Sequence, residues 1–191
     1  MSRILGPVIH TAYVYPEFDS AVERFAAGGI GPFFVMHETG AKSIYHGEEK
    51  PLRMSIAFVY SGDACMEIIT PTGGEDQQSA YDDFLRLNPH GGLHHIAYYS
   101  EDFAKTLAAM EAEGKPLRIV QEFVETTGGD PFEIYCEPVG VENPLVFQFL
   151  RPGVFDAWFD AMRDAAANWD GTDPIRDASH LLAEALAEGA G

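Results

Sequence analysis

The chain contains two copies of one sequence pattern, and this internal repeat restricts its possible folds more than any other feature. The segment "VIHTAYVYPEFDSAVERFAAGG" aligns with "LHHIAYYSEDFAKTLAAMEAEG", which places His10 opposite His95. Farther along each copy, "CMEIITP" aligns with "VFQFLRP", which places Glu67 opposite Gln148. The offset is 85 residues at the first pair and 81 at the second, so the copies differ only by small loop changes. A repeat of this length indicates two paired modules.

Each copy has the same order of predicted elements. In the first copy, a β-branched and aromatic run over about residues 7–15 ends at Pro16, and Ser20 with Glu23 forms a capping box that predicts a helix to about Ala27. In the second copy, the helix follows the polar break "SED" and ends before "GKP". About three β-like segments, separated by Gly, Pro and Asp, follow each helix. We therefore predict an α+β fold in which two β-α-β-β-β modules form a curved mixed sheet.

The repeat also predicts the domain boundaries. The first module covers residues 1–74 and the second covers residues 93–152. A polar linker, residues 75–92, joins them and contains a short helix at about residues 77–87. Residues 153–191 form a C-terminal helical extension that a paired-module fold does not require.

The C-terminal extension carries an apolar stripe. Phe155, Trp158, Phe159 and Met162 recur at helical spacing, and "DASHLLAEALAEG" predicts a second short helical segment. A stripe of this kind is typical of a helix that packs on its own domain. The alternative is a contact with a second copy in a homodimer.

Charge and hydropathy exclude several classes of protein. The 30 acidic residues outnumber the 12 basic ones, and the net charge of −18 argues against nucleic acid as a partner. No apolar run approaches the roughly 20 residues of a membrane span, and the N-terminal sequence lacks a signal-peptide pattern. We predict a cytoplasmic protein with no membrane contact. Cys65 and Cys136 lie in apolar, strand-like stretches and are expected to be reduced, buried thiols.

Four polar side chains occur at matching places on otherwise apolar strand faces. They are His10, Glu67, His95 and Gln148. Burying such groups costs free energy unless they satisfy one another or a ligand. A metal ion would satisfy all four.

The other histidines are predicted to lie outside this group. Adjacent residues of a strand point to opposite faces, so His94 and His95 are not expected to enter one pocket together. We expect His94 to be structural, either orienting a neighbour or lining the other face of the sheet. Four more histidines in polar surroundings are expected at the surface: His37, His46, His90 and His180.

The strand-borne histidines, the repeated element order and the carboxylate in the last strand of a module resemble the vicinal oxygen chelate superfamily. Its members include glyoxalase I, methylmalonyl-CoA epimerase, extradiol dioxygenases and the fosfomycin and bleomycin resistance proteins. The resemblance covers about residues 5–152, and its nearest local match is to the epimerase-like and glyoxalase-like branch, through "IHTAYVYPEFDSAVERF" and "GLHHIAYYSEDFAKTLAAMEAEG".

The resemblance implies a divalent metal ion (Zn, Ni, Co, Mn or Fe) held by His10, Glu67, His95 and Gln148. Gln148 departs from the glutamate of many relatives. A neutral amide can ligate through its carbonyl oxygen but cannot act as a base.

The activity that the resemblance implies is that of a metal-dependent isomerase, epimerase or lyase, acting through an enolate of a small carbonyl compound or acyl thioester. Glu67 is the one carboxylate of the ligand set that could move the proton. Glu48 and Glu49, in the predicted turn "YHGEEKP", are the other candidates for a base. Tyr60 and Tyr99 could donate hydrogen bonds to the oxyanion.

Two other classes of function stay open. An Fe(II) ring-cleaving dioxygenase would use two histidines and one carboxylate, which His10, His95 and Glu67 supply if Gln148 is not a ligand. A metal-free protein that sequesters a hydrophobic compound would need none of these ligands.

Overall fold

The computed structural model describes residues 4–179, which fold into nine strands and four helices. The first-module elements are β1 (His10–Val14), α1 (Phe18–Ala27), β2 (Phe33–Tyr45), β3 (Glu48–Ser61) and β4 (Ala64–Pro71). Helix α2 (Ala80–Leu87) follows, and then β5 (Gly92–Tyr99), α3 (Phe103–Ala112), β6 (Leu117–Val124), β7 (Pro131–Pro138) and β8 (Val146–Leu150). The C-terminal elements are α4 (Asp156–Ala167) and β9 (Ile175–Asp177). The predicted α+β class and the repeated β-α-β-β-β order are confirmed.

The curved sheet closes on itself. Its strand order is β3-β4-β1-β5-β8-β7-β6-β2-β9, and β2 also pairs with β3, so strands β1 to β8 form a ring. The β2–β6 contact that completes the ring involves three residues of β2, Ser43 to Tyr45. The modules are also joined at the antiparallel β1–β5 pair, which involves four residues of β1, Thr11 to Val14. Polar side chains of β1 and β5 are thereby enclosed within a barrel.

Strand register places the repeated residues at equivalent positions. In each module the first strand lies parallel to the last strand, β1 beside β4 and β5 beside β8. Ala12 pairs with Glu67, and Ala97 pairs with Gln148. The sequence alignment of Glu67 with Gln148 therefore matches the three-dimensional repeat.

Helix α1 begins earlier than the predicted capping box indicates. It starts at Phe18 after Glu17, whose side chain makes no capping hydrogen bond, and both Ser20 and Glu23 lie exposed within the helix. The capping-box prediction is wrong because Phe18 packs into the buried face of the helix, where it joins Ala21 and other apolar residues against the sheet.

The other two helix starts follow their local sequence. The Ser79 hydroxyl accepts a hydrogen bond from the backbone of Asp82 at the start of α2, which lies within the predicted range 77–87. The Asp102 carboxylate accepts one from the backbone of Lys105 at the start of α3. Ser79 and Asp102 are therefore side-chain N-caps, and both residue types are preferred at that position.

The apolar stripe of the C-terminal extension packs on the chain's own core. Trp158, Phe159 and Met162 of α4 are buried, and the rings of Trp158 and Phe159 both contact Phe58 of β3. Beyond α4 the chain adds β9, a short strand parallel to β2 that the sequence patterns did not predict. The second predicted helical segment lies almost entirely outside the described residues, as does His180.

The prediction of two buried, reduced thiols is also met. Cys65 and Cys136 are buried, free thiols. Within residues 4–179, no helix combines the length and the apolar character needed to cross a membrane.

Candidate metal centre

Three buried side chains from the two modules converge inside the barrel. His10 Nε2 lies 3.3 Å from Glu67 Oε2, and His95 Nε2 lies 3.4 Å from the same oxygen. The three candidate ligand atoms lie within 4.8 Å of one another. Nitrogen and oxygen ligands about 2.1 Å from a zinc-sized ion would be about 3.0–3.4 Å apart at neighbouring positions. The group has the spacing of three ligands that could share one ion.

The hydrogen bonding of these atoms also suits a metal ion. Among the described residues, His10 Nε2, Glu67 Oε2 and His95 Nε2 are buried without a hydrogen-bond partner of good geometry. Such orphaned polar atoms are costly in a protein interior, and each needs an explanation. A divalent ion would satisfy all three at once, and imidazole and carboxylate are ligands that such ions bind.

Gln148 lies beside this group and is held by two neighbours. Its Nε2 donates hydrogen bonds to Glu133 Oε1 at 2.6 Å and to the Tyr135 hydroxyl at 3.1 Å. Its carbonyl Oε1 is buried and, within the described part of the chain, has no hydrogen-bond partner. The amide is thus oriented with its donor side toward Glu133 and with its potential ligand atom free.

The charges of the site depend on opposing effects. Burial disfavours the ionised form of Glu67, but the nearby imidazoles of His10 and His95 outweigh burial and lower the pKa of this carboxyl to about 2. Burial lowers the pKa of His95, and the favourable interactions with Glu67 only partly oppose this effect. Glu67 is therefore ionised, which is the form that binds metal ions.

Glu133 has the opposite electrostatic character. Burial raises the pKa of this carboxyl to about 7, with a further upward contribution from the Glu67 charge, while the hydrogen bond from Gln148 acts against the increase. A carboxyl with such a pKa lies in the range used by general acids and bases at neutral pH.

His94 and His95 lie on the same side of the sheet, so the expectation that the two rings point to opposite faces is wrong. The register of β5 against β1 shifts between Leu93 and His95, which leaves His94 as an extra residue in the strand. Such a β-bulge interrupts the alternation of side chains. Both imidazoles are buried, both contact the ring of Tyr135, and their Nδ1 atoms are 2.9 Å apart.

A glycine immediately before β5 makes room for this arrangement. Gly91 has φ +75°, and a Cβ atom built on it would lie 2.4 Å from the carbonyl oxygen of Val14. Only glycine fits so close a backbone approach at that φ. Gly91 is therefore a packing requirement of the β1–β5 junction.

A cavity of about 460 Å³ adjoins the polar group. His10, Glu67 and Gln148 form part of its wall. The rest is largely apolar and includes Met54, Ile56, Phe58, Phe123, Phe132, Leu150, Phe155, Trp158 and Phe159. Among the described residues that line it, Lys42 is the one basic side chain, whereas Glu67, Glu125 and Glu133 are acidic. Helix α4, which lies outside the repeat, supplies two of the aromatic residues, and its N-cap residue Phe155 supplies a third.

The structure does not bring Glu48 and Glu49 to this cavity. Both are exposed at the start of β3, where Glu48 pairs with Lys50 at 2.9 Å and Glu49 accepts a hydrogen bond from Thr127. The turn of this hairpin is formed by His46 and Gly47, so the two carboxylates belong to the strand that follows the turn.

The two predicted oxyanion donors also lie elsewhere. The Tyr99 hydroxyl donates to Asp156 at 2.6 Å, and Tyr60 lies beside Cys65 and Arg163. Neither lines the cavity, whereas Tyr81 and Tyr135 do. Their hydroxyl groups are hydrogen-bonded to each other at 2.8 Å.

Sequence analysis did not identify Glu133 or Tyr135 as site residues. Both occur in "PFEIYCEP", where alternation places them on one strand face, but the partner of that face is fixed only by the pairing of β7 with β8. A useful signal was available, because Glu133 is the acidic residue that stands between apolar residues in the stretch "PFEIYC". His37, His46 and His90 are exposed, as predicted.

Comparison with known proteins identifies the family. The family model described as "Glyoxalase/Bleomycin resistance protein/Dioxygenase superfamily" matches residues 9–132. The superfamily resemblance found in the sequence is confirmed. No curated protein sequence matches the chain.

Several solved structures are similar to this chain at low identity. Methylmalonyl-CoA epimerase from Mycobacterium tuberculosis is 16% identical, with a TM-score of 0.49 over 80% of this chain and 91% of the epimerase. A hypothetical protein from Bacillus halodurans is 14% identical, with a TM-score of 0.49 over 76% of this chain and 93% of the other. A triple mutant of 4-hydroxymandelate synthase from Streptomyces coelicolor is 13% identical, with a TM-score of 0.46 over 76% of this chain. The match spans 48% of that synthase, about half of its length. Similarity at this level decides neither the reaction nor the substrate.

Proposed function

We propose that this chain, which belongs to the glyoxalase/bleomycin resistance protein/dioxygenase superfamily, is a metal-dependent isomerase or lyase that acts on a small carbonyl compound. The observation that carries this proposal is the convergence of His10, Glu67 and His95, with their ligand atoms unpartnered, beside an apolar cavity whose wall includes His10 and Glu67. Gln148 Oε1 is the proposed fourth ligand.

A bound divalent ion would act as a Lewis acid on a substrate carbonyl and make the adjacent C–H bond acidic. The chain's own residues then have separable tasks. His10 and His95 supply neutral nitrogen ligands, and Glu67 supplies the negative charge and is the proposed proton acceptor. The aromatic residues of α4 and β3 cover the apolar part of the substrate and exclude water.

The cavity favours a small substrate over a coenzyme A thioester. Its volume is about 460 Å³, and its described lining contains one basic side chain against three carboxylates. A nucleotide-bearing thioester carries several phosphate charges, which proteins normally bind with arginine, lysine or helix N-termini. An uncharged or singly charged carbonyl compound with an apolar group fits this lining better.

Two measurements test the proposed function. Protein purified without chelator is expected to contain one divalent ion per chain. In D2O, a panel of small 2-substituted and 2-oxo carbonyl compounds should include one whose α-carbon takes up deuterium when protein is added. A metal-free protein would favour the alternative of a binding protein that sequesters a hydrophobic compound.

An Fe(II) dioxygenase is a second candidate, supported by one observation. The buried group of His10, Glu67 and His95 is itself a two-histidine, one-carboxylate set, which would leave positions open on the ion if Gln148 were not a ligand. Consumption of oxygen with a catechol, together with bound iron and no deuterium exchange, would replace the isomerase proposal with this one.

A further inference from the structure

We infer that His94 is a positioning residue, which accepts a hydrogen bond from His95 Nδ1–H and thereby keeps the Nε2 lone pair of His95 directed at the metal centre. The inference rests on the proposed function, since it assigns His95 as a ligand. It is supported by the direct contact between the two imidazoles, which the structure shows whether or not a metal ion binds.

The contact fixes where one hydrogen must lie. The Nδ1 atoms of His94 and His95 are 2.9 Å apart, so one of them carries a hydrogen and the other accepts it. If His94 were the donor, neutral His95 would carry its own hydrogen on Nε2 and could not ligate through that atom. If His95 is the donor, its Nε2 lone pair is free.

The other side of the His95 ring offers a competing partner. Glu67 Oε2 lies 3.4 Å from His95 Nε2 and, in the absence of a metal ion, would attract a hydrogen onto that nitrogen. His94 opposes this tautomer because it accepts at Nδ1. Metal-binding histidines commonly donate their second ring N–H to a neighbouring acceptor, which fixes both tautomer and ring orientation.

The surroundings of His94 hold its ring in place. The residue is 1% exposed, and its ring contacts those of Tyr81, Phe84 and Tyr135. The β-bulge directs the side chain inward, where regular alternation would direct it away. Within the first module, Ile9 aligns with His94 in the sequence repeat and offers no such acceptor. The arrangement therefore belongs to one module only.

Two substitutions of His94 distinguish the effect of its hydrogen bond from the effect of its packing. His94→Phe keeps an aromatic ring among its aromatic neighbours but removes the acceptor. His94→Asn is smaller, yet it can place a carbonyl oxygen near the position of Nδ1. His90→Phe removes an exposed histidine and serves as the matched control.

The first readout is affinity for Co²⁺, measured with the purified full-length protein by competition with a chelator. His94→Phe should weaken Co²⁺ binding by about 10–100-fold, as is typical when the hydrogen-bond partner of a ligand is lost. His94→Asn should bind more tightly than His94→Phe although it packs less well, and His90→Phe should match the native protein. Equal affinity in His94→Phe and the native protein, with both variants folded by circular dichroism, would overturn the inference.

The second readout uses the metal-free protein, so it stays decisive if the proposed function is wrong. Ring ¹⁵N chemical shifts should show His95 protonated at Nδ1 in the native protein and shifted toward Nε2 protonation in His94→Phe. A native protein in which His95 is protonated at Nε2 and His94 at Nδ1 would refute the inference, whatever the metal affinity. Lack of Co²⁺ binding by the native protein would instead refute the proposed function, and the tautomer measurement would then decide the role of His94.

Discussion

The two modules have the same backbone plan, but they place different chemistry at equivalent positions. Glu67 pairs with Phe58 in the first module, and Gln148 pairs with Tyr135 in the second. Two residues farther along β4 and β8, Ile69 pairs with Ile56, whereas Leu150 pairs with Glu133. The first module therefore surrounds a charged candidate ligand with apolar groups, and the second surrounds a neutral one with polar groups.

The two candidate ligand histidines also have neighbours of different polarity in the two modules. The His10 ring contacts Phe58 edge-on at 5.6 Å, and the His95 ring contacts Tyr135 edge-on at 4.9 Å. His95 has the additional partner His94, whereas no hydrogen bond to His10 Nδ1 is made within the described residues. The difference teaches that the repeat sets the positions of the ligand group, whereas the hydrogen bonds that orient it are made in the second module.

The largest expected effect comes from exchanging the chemistry of Glu67 and Gln148. Glu67→Gln keeps an oxygen ligand of the same size but removes the proposed base, so deuterium exchange should fall by about 10²–10⁴-fold. Exchange that survives intact would assign the proton to another cavity carboxyl, of which Glu133 is the next to change.

The reciprocal change, Gln148→Glu, tests whether the two positions can exchange their side chains. Gln148→Glu would put a second carboxylate against Glu133, whose Oε1 now lies 2.6 Å from the Gln148 amide nitrogen. The double variant Glu67→Gln/Gln148→Glu should therefore bind metal more weakly than the native protein. Native metal content in the double variant would show that the two positions are equivalent.

The second-largest effect concerns helix α4, which follows the second module. Helix α4 follows β8 but packs on β3 of the first module, with Phe159 buried against Phe58. Phe159→Ala should destabilise the protein by about 3–5 kcal/mol, the usual cost of truncating a buried aromatic side chain. The measurement is urea unfolding, with exposed Asp164→Ala on the same helix expected to stay within about 0.5 kcal/mol. A Phe159→Ala loss no larger than that of the control would show that α4 does not tie the modules together.

A smaller effect tests the polar support of the second module. Glu133→Leu removes the acceptor that holds the Gln148 amide, and metal affinity should fall by about 10–100-fold. Glu133→Gln keeps an acceptor oxygen and should lose less. Ile56→Leu, at the equivalent place of the first module, should leave the affinity unchanged. Equal losses in the Glu133 and Ile56 variants would contradict a specific role for the Glu133 carboxyl.

The smallest effect compares the two module helices. Asp102 caps α3 through its side chain, whereas Glu17 leaves α1 without a side-chain cap. Asp102→Ala should cost about 0.5–2 kcal/mol of unfolding free energy. Ser20→Ala, in the interior of α1, should change it by less than about 0.5 kcal/mol. A Ser20→Ala loss as large as that of Asp102→Ala would reinstate the capping box that the structure does not show.

The sequence by itself determined the repeated fold and the members of the polar group. Strand residues alternate with a period of two, so a polar residue at the same place in both copies of an apolar strand had to face the same interior. His10, Glu67, His95 and Gln148 were found in this way. The family followed from the same residues and from their order.

Only the tertiary structure decided which neighbours complete the site. A one-residue bulge turned His94 inward, and no local pattern in "GLHHIAYY" distinguishes a bulged strand from a regular one. Pairing between β7 and β8 brought Glu133 to Gln148, and the hairpin register left Glu48 and Glu49 outside the cavity. Helix α4 forms part of the cavity wall because it follows β8 of the second module and packs on β3 of the first. Local sequence specifies backbone conformation and periodicity, but contacts between strands distant in sequence depend on register, which is set by the packing of the whole barrel.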